Sequence, residues 1–202
     1  MTTRIMAYIA AILSCVVLLT GCGSPPSSTY TGGDGSYLRL PGTWNLFDGN
    51  SVVQATDPEG SVSEGVYISG FALGSKDPAT ILTSSSKPNG LILSTDIPEG
   101  ATVENDRAIL ISNINEMLET GLADIIEDYK SFVTSDGVMG ERSVIDVVDV
   151  NGKPMRLLQQ MITDKERTRI WVLAVGCNKK CYMKETETIE QIAKIWKVDL
   201  KR

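Results

Sequence analysis

The octapeptide from Ile170 to Cys177 constrains the fold more than any other stretch. Trp171, Leu173 and Val175 point to one side of an extended chain, and Ile170, Val172 and Ala174 to the other. A strand that is apolar on both faces must be covered on both faces. The run is therefore predicted to be a central strand of a layered sheet. Two further strands precede it. Val144–Val150 and Met155–Thr163 are joined at Asn151-Gly152, a strong hairpin signal. Asp164-Lys165-Glu166-Arg167 turns the second into the third. These three strands read as an antiparallel meander.

A helix beginning near Thr188 follows, with Gln191 completing a capping box. Ile189, Ile192, Ala193 and Trp196 form its apolar stripe. Upstream, strands are expected at Tyr37–Leu40, Val52–Thr56 and Val66–Leu73, with turns at Pro41-Gly42 and Asp57-Pro58-Glu59-Gly60. Asp77 caps a short helix that has Pro78 in its first position. Ser84–Gly100 shows little periodicity and reads as a long loop, a candidate contact region through Lys87, Asn89 and Glu99. Asp106–Phe132 reads as a helix, with Leu110, Ile114, Met117, Leu118, Leu122, Ile125, Ile126 and Tyr129 at spacings of three and four.

The start of the chain carries an address. Arg4 precedes an almost wholly apolar run from Ile5 to Leu19, shorter than the ~20 residues that cross a bilayer as a helix. Leu19-Thr20-Gly21-Cys22 closes it with small residues before a thiol. This is the pattern of a cleavable lipoprotein signal: residues 1–21 are removed and Cys22 is lipidated. Residues 22–36 are rich in Ser, Pro and Gly and are expected to be a flexible linker. Residues 37–202 then form a single domain, held on the outer face of a bacterial cell membrane by the lipid on Cys22.

From Cys22 onward, with Arg4 gone, there are 18 basic and 25 acidic residues, a net charge of −7. Such a balance argues against nucleic acid and against adsorption to anionic lipid. Histidine is absent, which excludes Ser-His-Asp and Cys-His catalysis and histidine-ligated metals. Cys177 and Cys181 are the remaining thiols, and in an exported chain an even pair reads as a disulfide worth about 2 kcal/mol. A redox pair is the rival, but such motifs space their cysteines by two residues, not three.

Other chemical signals are weak. Ser84-Ser85-Ser86-Lys87 fits Ser-x-x-Lys, yet lies in a serine run with no Lys-Thr-Gly after it. Asp146 and Asp149 fall on opposite faces of a strand and are expected at solvated positions. Asp34, Asp48 and Asp57 lack the spacing of a calcium loop, and Gly32-Gly33-Asp34-Gly35 lacks the helix and Lys-Ser/Thr of a phosphate cradle. Trp44, Trp171 and Trp196 read as core. No catalytic residue, cofactor or metal site is expected.

Two stretches carry a family likeness. Gly35-Ser36-Tyr37-Leu38-Arg39-Leu40-Pro41-Gly42-Thr43-Trp44 resembles the opening strand-Pro-x-x-Trp of PsbP-like domains. Ile170–Gly176 with the helix Ile189–Trp196 resembles their closing strand and helix. With the lipidation signal in front, the chain is similar to LpqN-type and DcrB-type lipoproteins. The resemblance implies an α+β fold, an α-β-α sandwich around a mainly antiparallel sheet. It implies no reaction, since PsbP-like domains are typically accessory proteins that bind and organise larger assemblies. The expected role is a non-enzymatic envelope lipoprotein that binds a protein partner or supports assembly. The alternative is a solute carrier with a pocket between sheet and helix.

Overall fold

A computed structural model describes residues 27–55, 57–97, 123–133, 138–149, 151–166 and 168–200. Cys22 and the predicted signal, most of the predicted helix before residue 123, and Glu99 lie outside the described residues.

The Ile170 stretch is central, as its two apolar faces require. It forms β9 (Arg169–Cys177) in a seven-stranded antiparallel sheet. The sheet runs β3 (Trp44–Asp48), β4 (Tyr67–Leu73), β5 (Asn89–Asp96), β9, β8 (Pro154–Thr163), β7 (Met139–Val148) and β6 (Ala123–Val133). The meander β7-β8-β9 and its Asn151-Gly152 turn follow the sequence reading, except that β7 spans Met139–Val148 and so begins well before Val144. Gly152 sits at φ +73° in the tight hairpin, a conformation that favours glycine.

A second, three-stranded sheet is built from β1 (Ser27–Thr31), β2 (Ser36–Pro41) and β10 (Lys197–Val198), with β2 in the middle. It packs on one face of the large sheet beside helices α2 (Lys179–Lys184) and α3 (Thr186–Ile195). Leu38 and Leu40 from β2, Ile189, Ile192 and Ala193 from α3, and Leu158, Leu173 and Val175 from the large sheet are all buried in this core. The opposite face buries Ile145, Met155, Leu157, Met161, Ile170 and Val172. Helix α1 (Gly49–Gln54) packs on that face, where an added Cβ at Gly70 would lie 2.8 Å from both Val52 and Ile81. The result is an α+β fold with a mainly antiparallel sheet and few helices.

Four expectations for strands and linker change, and the capping box at Thr188 is not formed: α3 begins at Thr186, after Glu185, which makes no side-chain cap bond. Ser27–Thr31, read as linker, is strand β1, and the linker segment Gly32-Gly33-Asp34-Gly35 is the turn into β2, with Asp34 and Ser36 buried. Val52–Thr56, read as a strand because of its two valines, falls largely in α1: the Asp48 carboxylate caps it by accepting from the Ser51 N–H (3.0 Å). Asn89–Asp96, read as loop, is β5, paired on both sides by β4 and β9. Ala123–Phe132, read as the end of a helix, lies in β6, whose register against β7 shifts twice, between Ile125 and Glu127 and between Glu127 and Lys130. Such irregularities break the period of two and leave apolar residues at helix-like intervals.

Candidate functional site

The two sheets leave an open cleft at one end of the molecule. It lies between β1 and β3, the edge strands of the small and large sheets, and has a volume of about 520 Å³. Its walls include Tyr30, Gly32, Phe47, Asn50, Tyr67 and Ser69. The cleft is formed by two sheet edges.

The floor of this end is a polar knot. Asp34 Oδ1 accepts from the Ser36 N–H (3.1 Å) and hydroxyl (2.8 Å), and the Asp34 carbonyl accepts from the Trp171 indole N–H (3.2 Å). The central strand thereby fixes the turn that ends the cleft. Burial pushes the Tyr30 phenol above its usual range; a hydrogen bond with Ser36 opposes this, and the Asp34 charge adds to it. A Cβ at Gly32 would lie 2.0 Å from Asp34 Oδ1, so a larger residue here would have to displace that carboxylate.

On the far wall Asp48 is committed to capping α1. Hydrogen bonds from the Ser51 hydroxyl and N–H hold its carboxyl below the ordinary range. Tyr67 is partly exposed and carries the Arg169 guanidinium 5.1 Å from its ring centre, while Arg169 also binds Asp96 at 2.6 Å. The cleft thus presents an aromatic edge, hydroxyls and an amide.

The opposite end of the sheet holds the residues that were weighed for chemistry. Asp146 and Asp149 are both buried, not solvated. Asp146 accepts from Arg156 Nε (2.7 Å) and Nη2 (2.9 Å) and pairs with Lys179 Nζ (2.8 Å). Burial alone would raise its carboxyl; Arg156 and Lys179 outweigh that and hold it below the usual range. Asp149 behaves similarly. Its burial is outweighed by N–H donors from Ser84 (2.8 Å), Lys153 (2.8 Å) and Asn151 (2.9 Å), and its carboxyl is also lowered.

Ser84, the serine of Ser-x-x-Lys, donates its hydroxyl to the Pro154 carbonyl (2.6 Å). That serine is bound into the fold. Asn89, expected at the surface, is buried and donates to Thr83 and Ser85; Lys87 is exposed. Cys177 and Cys181 are bonded to each other at the junction of β9 and α2, both buried. The loop they close is the first turn of α2, capped by Asn178, which accepts from the Cys181 N–H (2.8 Å). Among the described residues no group of three or more His, Cys, Asp or Glu is placed to hold a metal.

The cleft is hidden in the sequence because the Ser/Pro/Gly-rich surroundings of β1 read as linker. Its signal is present in Thr29-Tyr30-Thr31, three residues with strong strand preference.

Layering, topology and the cleft together define an α+β domain of PsbP-like fold. The cyanobacterial PsbP protein (CyanoP) of Synechocystis has a similar structure, with a TM-score of 0.55, 15% identity, and coverage of 89% of this chain and 96% of that one. A Pseudomonas aeruginosa protein of unknown function matches at TM-score 0.43 and 10% identity, covering 83% and 94% of the two chains. The Saccharomyces cerevisiae Ran-binding protein Mog1p matches at 0.46 and 8%, covering 87% and 96%. No protein-family profile matches the chain, and no curated protein does.

Proposed function

We propose that this chain is a membrane-anchored envelope lipoprotein of the LpqN or DcrB type, and that it binds an envelope protein without catalysing a reaction. The observation that carries this reading is the open cleft between β1 and β3, whose two walls are strand edges. A strand edge offers unsatisfied N–H and C=O groups to an extended partner segment. The acids and the serine weighed for catalysis support the same reading, since each is bound into the fold by named partners. Lipid on Cys22 would hold the domain at the membrane.

The test places a photocrosslinking residue at Thr31, Asn50 or Glu187 of the full chain in living cells. Adducts to one envelope protein from Thr31 and Asn50, and none from Glu187 on α3, are expected. Adducts spread evenly over the three positions would refute a cleft-directed partner. Cys22→Ala should abolish membrane retention; retention equal to wild type would refute the anchor. A solute-carrier reading has one point in its favour, since about 520 Å³ lies within the range of small-molecule sites. A bound small molecule seen by native mass spectrometry of the released protein would decide for it.

A further inference from the structure

Charge is unevenly placed along this acidic chain. One end of the large sheet carries the cleft, with Asp48, Glu64, Asp96, Asp164, Glu166 and Asp199 close by. The other end gathers exposed cations. It is where β9 ends, β8 and β5 begin, and α2 follows. Lys179, Lys180 and Lys184 lie on α2, Lys153 on the β7-β8 hairpin, and Lys87 before β5. The Ser84–Lys87 segment touches both neighbours: Ser84 binds Pro154, and the Ser85 carbonyl accepts from the Asn178 N–H (2.9 Å). The lysines therefore belong to one contiguous face.

Two of the carboxylates at this end are withdrawn. Asp146 lies beneath Arg156 and Lys179, and Asp149 is wrapped by backbone N–H groups. Glu185 sits 3.6 Å from Lys184; Asp77, which caps the 3₁₀ turn Pro78–Thr80, and Glu187 in the first turn of α3 are exposed, so the cations outnumber the acids here without excluding them. Among the cations stands a large exposed apolar side chain. Met183 is 68% exposed and falls three residues after Lys180, its neighbour on the surface of α2.

The described chain also starts at this end. Ser27 pairs with Pro41, its hydroxyl accepts from Arg39 Nε (3.1 Å), and Ser28 reaches the Trp44 carbonyl. Cys22 is five residues earlier, a span of about 17 Å at full extension. A lipid on Cys22 would hold the lysine face toward the bilayer and turn the cleft away from it.

We propose that this face, Lys180, Met183 and Lys184 with Lys87 and Lys153 around them, docks on the anionic headgroups of the membrane that holds the anchor. The proposal rests on the anchored reading above. Each lysine near an anionic surface is worth about a fivefold change in partition, and the thioether of Met183 can enter the headgroup boundary. Net negative charge does not oppose this, because screening limits each charge to about 10 Å and the acidic end is the distal one.

The test uses the full chain, purified from envelopes, in vesicles of phosphatidylcholine alone or with phosphatidylglycerol. Flotation with the phosphatidylcholine vesicles reports the anchor independently of docking. Amine acetylation, followed residue by residue by mass spectrometry, reports docking. Lys180 and Lys184 should react at least about fivefold more slowly on phosphatidylglycerol vesicles, with the difference lost in high salt. Lys165 and Lys197 at the other end should react equally on both. A Lys180→Gln, Met183→Ser, Lys184→Gln variant, changed only at exposed sites, should lose the slowing at Lys87. Equal rates at Lys180 and Lys184 on the two vesicles would overturn the proposal while leaving the anchor intact. Slowing seen only in native envelopes would overturn it in favour of an acidic protein.

Discussion

Removing the Asp146 carboxylate is the most informative perturbation of the core. Asp146→Ala deletes three charge-assisted contacts at once: two from Arg156, at 2.7 and 2.9 Å, and one from Lys179, at 2.8 Å. Breaking a fully buried ion pair costs about 3–5 kcal/mol. Here the Asp146 side chain is 9% exposed, but Arg156 is 23% exposed and Lys179 half exposed. Both cations can recover water, so the expected loss is about 2 kcal/mol. For a domain of this size that lowers Tm by about 4–8 °C.

Arg156→Met should cost less, about 1 kcal/mol, because Lys179 still neutralises the acid and what is lost beyond the pair is the contact with the Tyr182 ring at 5.9 Å. The double variant should cost less than the sum, with a coupling of about 1 kcal/mol. Urea unfolding followed by tryptophan fluorescence, at pH 7 and pH 3, measures all four corners. The folded-state carboxyl is lowered, so its contribution is complete above the unfolded value of about 3.9 and disappears as pH falls through the folded value. The deficit of Asp146→Ala should therefore shrink toward pH 3. A deficit under about 0.5 kcal/mol at pH 7, or one unchanged at pH 3, would refute the reasoning.

Three other outcomes follow. Asp149→Asn should flatten the acid limb of the pH–stability profile in the same direction, and hydrogen exchange should show the Ser84 and Lys153 amides opening first. Gly176→Ala places a methyl 1.9 Å from the Arg156 carbonyl oxygen and should cost roughly 2–3 kcal/mol by forcing β8 and β9 apart, whereas Leu173→Ala empties core volume and leaves the strands in place; hydrogen exchange along β8 separates the two. Reducing Cys177–Cys181 should leave the fold intact and lower stability by about 2 kcal/mol, checked by intact mass and thermal melting before and after reduction.

How much was legible depended on how clearly each element is bounded. β7, β8 and β9 declare themselves because their apolar runs are separated by plain turn signals, and α3 because its apolar residues recur at three and four. β5 does not, although Leu91-Ile92-Leu93 is as continuously apolar as β9: Pro88, Gly90 and Pro98 around it read as breakers. Only its partners on both sides settle it as a strand, and pairing is not a local property. β6 is hidden by its register shifts. The cleft is invisible for a related reason. Its walls are the edges of two different sheets, and nothing local in β1 or β3 tells which sheet each joins. The burial of Asp146 is likewise fixed by Arg156 across the hairpin and by Lys179 from α2, neither of which alternation along β7 can reveal.

The pairing of β5 with β9 carries a cost in time. Asp96 finds its partner in Arg169, 73 residues later in the chain. At about 5–20 residues per second of synthesis, roughly 4–15 s pass between the appearance of β5 and that of the strand that completes it. Through that interval the Leu91-Ile92-Leu93 edge stands open, a short apolar strand with an unpaired backbone. The nascent chain is therefore most exposed to misassociation in its first half, and a chaperone that shields residues 89–96 until β9 emerges would protect it most.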